Sequence, residues 1–292
     1  MGQDPAPPAE ALSLLAGRLG ERVDARLLSD RRGSRTWKVT GPGGAAAVKA
    51  NVPGNDGARD KAAEMVQEDD HLVRLADAGA ISPGYRMGAG AWEGGRWLAV
   101  HWIDGPLLWH ALAPARDADG DRSDIRARLM RITRTWSARL ARLHAVDWTH
   151  ADVQPTNTLV ADGRAELIDY ALACGPNPAA PRLPYRGALT HTTAPETAAA
   201  LLGTPPDTHI QAEPPSDIWS LGASLYWCWT GQRPVIYSPE ADREDMLRLI
   251  AQGRTADLAI TRPWPFPEFE EIIAACLAGD PAVRPTAQSM AA

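Results

Sequence analysis

Three polar side chains that could take part in phosphoryl transfer lie close together in the segment W-T-H-A-D-V-Q-P-T-N-T-L-V, residues 148–160. His150, Asp152 and Asn157 fall within eight positions, and an apolar pair follows them. A carboxylate in such a loop can accept a hydrogen bond from an attacking hydroxyl group. Taken alone the pattern is weak, because three polar residues share a loop in many proteins, so the neighbouring elements must decide its meaning.

A second carboxylate follows the loop closely, in the segment E-L-I-D-Y-A. Asn157 precedes one short apolar strand, and Asp169 ends the next strand along the chain. If the two strands pair in antiparallel fashion, the amide oxygen and the carboxylate lie at neighbouring strand ends. Oxygen ligands of this kind suit a hard divalent cation that also retains waters and phosphate oxygens. The sequence therefore predicts a metal site formed by Asn157 and Asp169, beside Asp152.

A lysine lies upstream on a predicted apolar strand, A-A-A-V-K-A. If Lys49 points inward from that strand, it needs an anionic partner, either a phosphate or a carboxylate. The helix predicted over residues 60–77 offers Glu68, which precedes Leu72 by four positions and so lies on the same helix face. Glu64 is the alternative partner.

The surrounding pattern predicts an α+β chain with a small antiparallel β-rich part before Gly105 and a mostly helical part after it. We expect residues 1–21 to form a lead-in with a short helix, the first eight or so residues being disordered. Residues 22–103 are expected to form the sheet with one main helix, and residues 104–292 the larger helical part. The predicted elements are a helix at 10–19, strands at 24–28, 36–40, 45–50, 85–88 and 96–102, and helices at 60–77, 125–146, 216–229, 242–251 and 269–278.

Composition limits the classes of partner. The 292 residues are 45% hydrophobic and 23% charged, which is typical of a soluble globular protein. A net charge of −6 argues against nucleic-acid binding, although it permits a single nucleotide. Three cysteines without C-x-x-C spacing indicate reduced thiols. With no run of 18 apolar residues and no secretory leader, we predict a cytoplasmic protein without a membrane span.

From about residue 22 to 290 the chain resembles the protein kinase superfamily, in the manner of bacterial eukaryotic-like Ser/Thr kinases. Lys49 stands at the lysine of the V-A-I-K motif, and Glu68 at the glutamate of the following helix. The loop H-A-D-V-Q-P-T-N matches H-R-D-x-x-x-x-N, and Asp169 opens D-Y-A where the family has D-F-G. This resemblance implies a bilobal kinase-like fold.

Three later segments extend the resemblance. Ala194-Pro195-Glu196 reads A-P-E without change, and residues 216–234 resemble the buried helix of the larger kinase lobe. Asp217 on that helix is implied to brace the catalytic loop. Arg284, in the closing segment, is implied to pair with Glu196. Six motifs in the family's order at plausible spacing make a chance match implausible.

The resemblance assigns chemical roles to five residues. Lys49 would hold the α- and β-phosphates of ATP and be oriented by Glu68. Asn157 and Asp169 would bind Mg²⁺. Asp152 would orient the acceptor hydroxyl and take its proton.

The resemblance also implies where the nucleotide base would lie. The segment W-L-A-V-H-W-I-D-G-P matches the hinge, with Val100 as gatekeeper and the backbone from His101 to Ile103 reading adenine. Ala47 and Leu159 would lie on either side of the ring.

The phosphate-covering loop departs from the family pattern. It contains one glycine, Gly33, where the family has G-x-G-x-x-G, so fewer backbone amides can approach a phosphate closely. Side chains of Ser34, Arg31, Arg32 or Arg35 are candidates to substitute.

The catalytic loop itself departs at two positions. Ala151 replaces the arginine of H-R-D, so no cation there can receive a phosphate from the segment 169–196. Gln154 replaces the lysine that typical Ser/Thr kinases carry two residues after the aspartate. In these respects the loop resembles those of lanthipeptide-synthetase kinase domains and aminoglycoside phosphotransferases.

The sequence thus predicts a Mg-ATP-dependent phosphotransferase acting on Ser/Thr hydroxyls of a protein or peptide. One alternative is the kinase component of a lanthipeptide-like pathway, in which phosphorylation precedes elimination. Another is a pseudokinase that serves as a binding or scaffold module. The sequence leaves the acceptor and the oligomeric state open.

Overall fold

A computed structural model describes residues 5–31, 33–51, 58–93, 95–176 and 183–292. The chain divides into two compact units, Met1–Ile103 and Asp104–Ala292. No helix in the described ranges is both long and apolar enough to cross a bilayer.

The first unit is built on a five-stranded antiparallel sheet with the strand order β1-β2-β3-β5-β4. Its elements are α1 (Ala9–Leu19), β1 (Asp24–Arg31), β2 (Ser34–Gly41), β3 (Gly44–Asn51), α2 (Ala58–Asp77), β4 (Arg86–Trp92) and β5 (Gly95–His101).

Alternation along β3 separates the two faces of this sheet. Ala46, Val48 and Ala50 are fully buried in the apolar core of the unit. Because successive side chains of a strand point to opposite faces, Ala47 and Lys49 lie on the other face. The face that carries Lys49 is thus distinct from the face that forms the core.

Helix α1 closes that core. Ala11, Leu15 and Leu19 are buried among the sheet residues, and the Leu19 carbonyl accepts a 2.7 Å hydrogen bond from the backbone N–H of Gly43. A Cβ at Gly41 would lie 2.7 Å from the same carbonyl oxygen, so only glycine permits this close approach. The structure therefore places α1 within the first unit, whereas the sequence set residues 1–21 apart from the sheet.

The predicted disordered lead-in also needs correction. The carbonyl of Pro5 accepts a hydrogen bond from Trp37 Nε1 at 2.8 Å, and Pro7 and Pro8 are buried. Residues 5–8 therefore pack against the unit. Residues 1–4 of the predicted lead-in lie outside the described ranges.

The second unit is mostly helical, with one two-stranded antiparallel hairpin. Its helix α6 is buried along most of its length, as expected for a helix that the rest of a unit surrounds. Its elements are α3 (Leu108–Ala111), α4 (Ser123–His144), β6 (Thr158–Ala161), β7 (Arg164–Leu167), α5 (Pro195–Gly203), α6 (Pro214–Thr230), α7 (Arg243–Ile250), α8 (Leu258–Thr261), α9 (Pro267–Cys276) and α10 (Ala287–Ala291).

The predicted fold class is confirmed: the chain combines a small antiparallel sheet carrying α2 with a larger helical part. Real element boundaries differ from the predicted ones by a few residues, which is usual at fraying ends.

Candidate active site

Lys49 and Glu68 form an ion pair within the first unit. Lys49 Nζ donates to both carboxylate oxygens of Glu68, at 2.9 Å each. Glu68 is only 3% exposed, so a charged partner is needed to offset its desolvation. The alternative, Glu64, pairs with Lys61 instead. Lys49 therefore points from β3 toward α2, with its ammonium group held in a defined place.

The residues of the first unit that are proposed to contact adenine lie on the paired strands β3 and β5 and just after β5. Ala47 is opposite Val100 in the strand register, and His101 ends β5. The backbone N–H of His101 donates a hydrogen bond to the carbonyl of Tyr85, and that of Trp102 donates to the carbonyl of Ala45. The carbonyl of His101 and the backbone of Ile103 are therefore the groups of this segment that a purine edge could meet.

The predicted phosphate loop is the turn between β1 and β2. Gly33 has φ +75°, a left-handed conformation that glycine adopts without strain, and Ser34 starts β2 opposite Arg31. Arg35 Nε donates to Asp30 at 2.8 Å, so that guanidinium is partly engaged. Arg32 lies outside the described residues.

In the second unit, Asp217 on α6 braces the loop that carries Asp152. Its carboxylate accepts hydrogen bonds from the backbone N–H groups of His150 at 2.8 Å and Ala151 at 2.9 Å, and contacts His144 Nε2 at 3.0 Å. Asp217 is 1% exposed. Ala151 has φ +60°, an unfavourable conformation for a residue with a Cβ. The bracing predicted for Asp217 is confirmed.

Two side-chain amides hold the carboxylate of Asp152. Gln154 Nε2 donates to Oδ1 at 2.5 Å, and Asn157 Nδ2 donates to Oδ2 at 2.7 Å. Burial, and then the negative charge of Asp169, raise the pKa of Asp152 to about 7. The hydrogen bonds from Gln154, Asn157 and the backbone N–H of Leu189 act in the opposite direction. A carboxyl group with a pKa near neutrality is suited to exchange a proton at physiological pH.

Asn157 and Asp169 provide the oxygen atoms expected of a Mg²⁺ site. Asn157 Nδ2 donates hydrogen bonds to Asp152, so Oδ1 is the side-chain atom of Asn157 that could bind a cation. The backbone N–H of Ile168 donates to the Asn157 carbonyl at 3.0 Å, which ties the start of β6 to the residue before Asp169. Asp169 has φ +67°. One amide oxygen and one carboxylate are a donor set that Mg²⁺ accepts, with waters and phosphates completing its shell.

The remaining predicted residues are distributed over both units. Leu159 lies on β6, bridged to Leu107 by strand-like pairing. The rings of His150 and Tyr170, both buried, pack with their centroids 5.0 Å apart and their planes tilted by 56°. Leu72 is fully buried in the first unit.

The ion pair implied between Glu196 and Arg284 is confirmed. Arg284 donates from two nitrogens to the two carboxylate oxygens of Glu196, at 2.7 and 2.8 Å. It also donates to the carbonyls of Ala278 and Pro215. Such a bidentate, buried arginine fastens the start of α5 to the end of the chain.

Two contacts at this site were not predicted. In the first, the side chain of Gln154, which the sequence marks only as a replacement for lysine, donates a hydrogen bond to Asp152. In the second, the buried hydroxyl of Tyr185 donates to the carbonyl of Ala151 at 2.9 Å. The first contact is local, and the short D-x-Q spacing could have suggested it. The second joins residues 34 positions apart, and no sequence pattern marks it.

Part of this chain matches a known protein family. A family model described as "Protein kinase domain" matches residues 116–292, more than half of the chain. Mitogen-activated protein kinase kinase 3 of Arabidopsis thaliana is 33% identical over 52% of this chain and 27% of its own length.

Two bacterial relatives are also similar to the chain. Serine/threonine-protein kinase PknL of Mycobacterium tuberculosis is 29% identical over 50% of this chain and 34% of its own length. The probable serine/threonine-protein kinase PkwA of Thermomonospora curvata is 24% identical over 94% of this chain and 34% of its own length. The chain therefore spans about a third or less of each of these three relatives. By the family match over residues 116–292, this chain is a member of the protein kinase family.

Proposed function

We propose that this chain transfers the γ-phosphoryl group of Mg-ATP to a Ser or Thr hydroxyl of a protein or peptide. The observation that carries the proposal is the arrangement around Asp152: a carboxylate fixed by Gln154 and Asn157, with a pKa of about 7. A base of this kind can hold an acceptor hydroxyl and accept its proton as the bond to phosphorus forms.

The other roles follow from charge. Lys49 is the cation proposed to hold the α- and β-phosphates, and Glu68 keeps its ammonium group in one position. Bound Mg²⁺ would neutralise the developing negative charge on the transferred phosphoryl group. Asn157 and Asp169 are its proposed ligands. Chemistry of this type depends mainly on positioning and charge neutralisation. Together with Asp152, these four side chains can supply both.

For the nucleotide base we propose the residues named from the resemblance. Ala47 and Val100 on the sheet, together with Leu159, are the apolar contacts to the ring. The backbone from His101 to Ile103 is proposed to read the adenine edge. Gly33 and Ser34 in the β1–β2 turn are proposed to approach the phosphates.

A binding module without turnover is the second candidate. It is favoured by the β1–β2 turn, since Gly33 is its only glycine and fewer backbone amides are thus able to approach a phosphate. It is opposed by the retention of Lys49, Asp152, Asn157 and Asp169.

Nucleotide binding tests the first requirement of the proposed phosphotransferase. Calorimetric titration of ATP should give saturable binding in the presence of Mg²⁺. Asp169→Asn should weaken the Mg-dependent part of the binding. Lys49→Met should weaken ATP binding by about 1.5 to 3 kcal/mol, which is typical of a charge-assisted contact. The exposed substitution Asp207→Asn serves as the control and should leave binding unchanged. If the wild type fails to bind ATP with or without Mg²⁺, the proposed phosphotransferase activity is wrong and the binding module is favoured.

The identity of the product would separate a protein kinase from a component of a peptide-modifying pathway. Mass spectrometry of the acceptor should show gain of a phosphoryl group for the first activity. Net loss of one water from Ser or Thr would indicate phosphorylation followed by elimination. The cytoplasmic location and the lack of nucleic-acid binding stay predictions from the sequence.

A further inference from the structure

One buried phenol ties the segment before α5 to the catalytic loop. Tyr185 is 7% exposed, and its hydroxyl donates to the carbonyl oxygen of Ala151 at 2.9 Å. Ala151 precedes Asp152 directly. The hydrogen bond therefore fixes the peptide unit from which the proposed catalytic base extends.

The backbone of Tyr185 is held as firmly as its side chain. Its N–H donates to His209 Nδ1 at 3.0 Å, and its carbonyl accepts from the N–H of Ile210 at 3.1 Å. The next residue, Arg186, donates to the carbonyls of Leu201, Thr204 and Thr208. Tyr185 is thus anchored at three points in two different stretches of chain.

The Ala151 peptide is held from two directions. Asp217 accepts the N–H of Ala151, while Tyr185 donates to its carbonyl. These two contacts stabilise an alanine at φ +60°, which an L-residue adopts only at a cost. If the Tyr185 bond were absent, one of the two constraints on that conformation would be lost.

Two of the threonines that follow, Thr192 and Thr193, are engaged in local contacts. The hydroxyls of Thr192 and Thr193 both donate to the carbonyl of Leu189, at 3.2 Å. Both residues are buried, so a modifying enzyme could not reach them without local opening. The methyl group of Ala151 offers no charge to a phosphate on this segment. Tyr185 and these threonine hydroxyls thus order this part of the segment through neutral hydrogen bonds, of which the Tyr185 bond reaches the loop.

We infer that Tyr185 is a positioning residue whose buried hydroxyl holds the segment 183–189 on the catalytic loop, so that the loop is ordered without a phosphate on that segment. The inference rests on the proposed function, because it concerns how the Asp152 loop is kept in its working arrangement. In this inference the Tyr185 hydroxyl orders the loop, a role that an arginine at position 151 and a phosphate on the segment could otherwise share.

The test compares Tyr185→Phe with a matched variant, Tyr226→Phe. Tyr226 is 1% exposed in the same unit, and its hydroxyl lies 2.6 Å from Thr261 Oγ1. Each variant therefore loses one buried tyrosine hydroxyl and no packing. Hydrogen exchange of the amides of residues 150–152 and 183–189 is measured in the full chain, followed by kcat and the KM for ATP.

For Tyr185→Phe we expect exchange in both segments to accelerate by about two- to tenfold, the value of one neutral hydrogen bond. We expect kcat to fall by a similar factor while the KM for ATP stays unchanged. Tyr226→Phe should leave exchange in both segments unchanged. Treatment of the wild type with a general phosphatase should alter neither exchange nor kcat.

Two results would overturn the inference. One is equal exchange at residues 183–189 in the two variants. The other is loss of order in the wild type after phosphatase treatment. Because exchange needs no turnover, a wild type without phosphotransfer activity would contradict the proposed function while the exchange data still decide the role of Tyr185.

Discussion

Asp152 carries a carboxyl group whose surroundings favour its neutral form. Burial and the charge of Asp169 raise its pKa from the ordinary value of 3.8 to about 7. Folding therefore opposes ionisation of this group. The resulting free-energy penalty is absent below the unfolded pKa, grows as the pH rises to about 7, and stays constant above that value.

Asp152→Asn should consequently gain stability over the wild type as the pH rises. Between pH 5 and pH 8 in metal-free buffer, we expect the difference in unfolding free energy to shift by about 2 kcal/mol in favour of the variant. Denaturant unfolding at the two pH values measures this shift. Any rearrangement of the amide contacts is independent of pH and cancels in the comparison.

The exposed Asp207→Asn variant is the control, and its unfolding free energy should follow that of the wild type at both pH values. An equal pH response of Asp152→Asn and the wild type would mean that the folded state does not oppose ionisation of Asp152.

Residues that are joined by a family motif could be predicted from the sequence, while contacts made by the intervening residues could not. The pairing of Arg284 with Glu196 follows from the motif order, although 88 positions separate the two residues. The hydrogen bond from Tyr185 to Ala151 depends on how the segment after β7 folds back, and neither residue type indicates it. Gln154 could be recognised as a replacement, and only the short D-x-Q spacing indicates its contact with Asp152.

At the scale of elements, α1 shows the limit of pattern reasoning. Its apolar spacing predicts a helix, and the helix is present at Ala9–Leu19. Spacing does not indicate what covers the apolar face, so the sequence alone predicts a lead-in that is separate from the sheet. The position of α1 depends on the Gly41–Gly44 turn, which leaves room for the end of the helix.

Leu15→Ala tests whether α1 is a structural part of the first unit. Leu15 is fully buried, so the substitution should destabilise the protein by about 2 to 4 kcal/mol through lost burial and a residual cavity. Leu202→Ala is the matched control, because Leu202 is also helical but 37% exposed, and it should cost about 1 kcal/mol or less. Thermal and denaturant unfolding measure both. Equal costs for the two variants would show that α1 is not part of the core.

The helix α6 illustrates the opposite case, in which one element could be predicted together with its role. The segment S-D-I-W-S-L-G indicated a buried helix with Asp217 near its start, and both features are present. Asp217 lies in the first turn, and its carboxylate accepts backbone N–H groups of the catalytic loop. This buried helix thereby fixes the loop that carries Asp152.

At the scale of the whole molecule, the residues proposed for catalysis belong to both units. The family match covers residues 116–292, so Asp152, Asn157 and Asp169 fall within it, whereas Lys49 and Glu68 lie before it. Lys49 and Glu68 nevertheless form the ion pair that their spacing suggested. The fold class could be predicted because six motifs keep their order. The acceptor substrate could not be predicted, because its recognition depends on surface residues outside the motifs.

The most direct test of the central claim is phosphoryl transfer itself. Labelled γ-phosphate of Mg-ATP is followed into randomised Ser/Thr peptides and into the chain, with the wild type beside Asp152→Ala and the exposed control Asp207→Ala. We predict transfer by the wild type and the control, and a rate at least about a hundredfold lower for Asp152→Ala, as expected for loss of a general base. A wild type that binds Mg-ATP yet transfers no more label than Asp152→Ala would contradict the account.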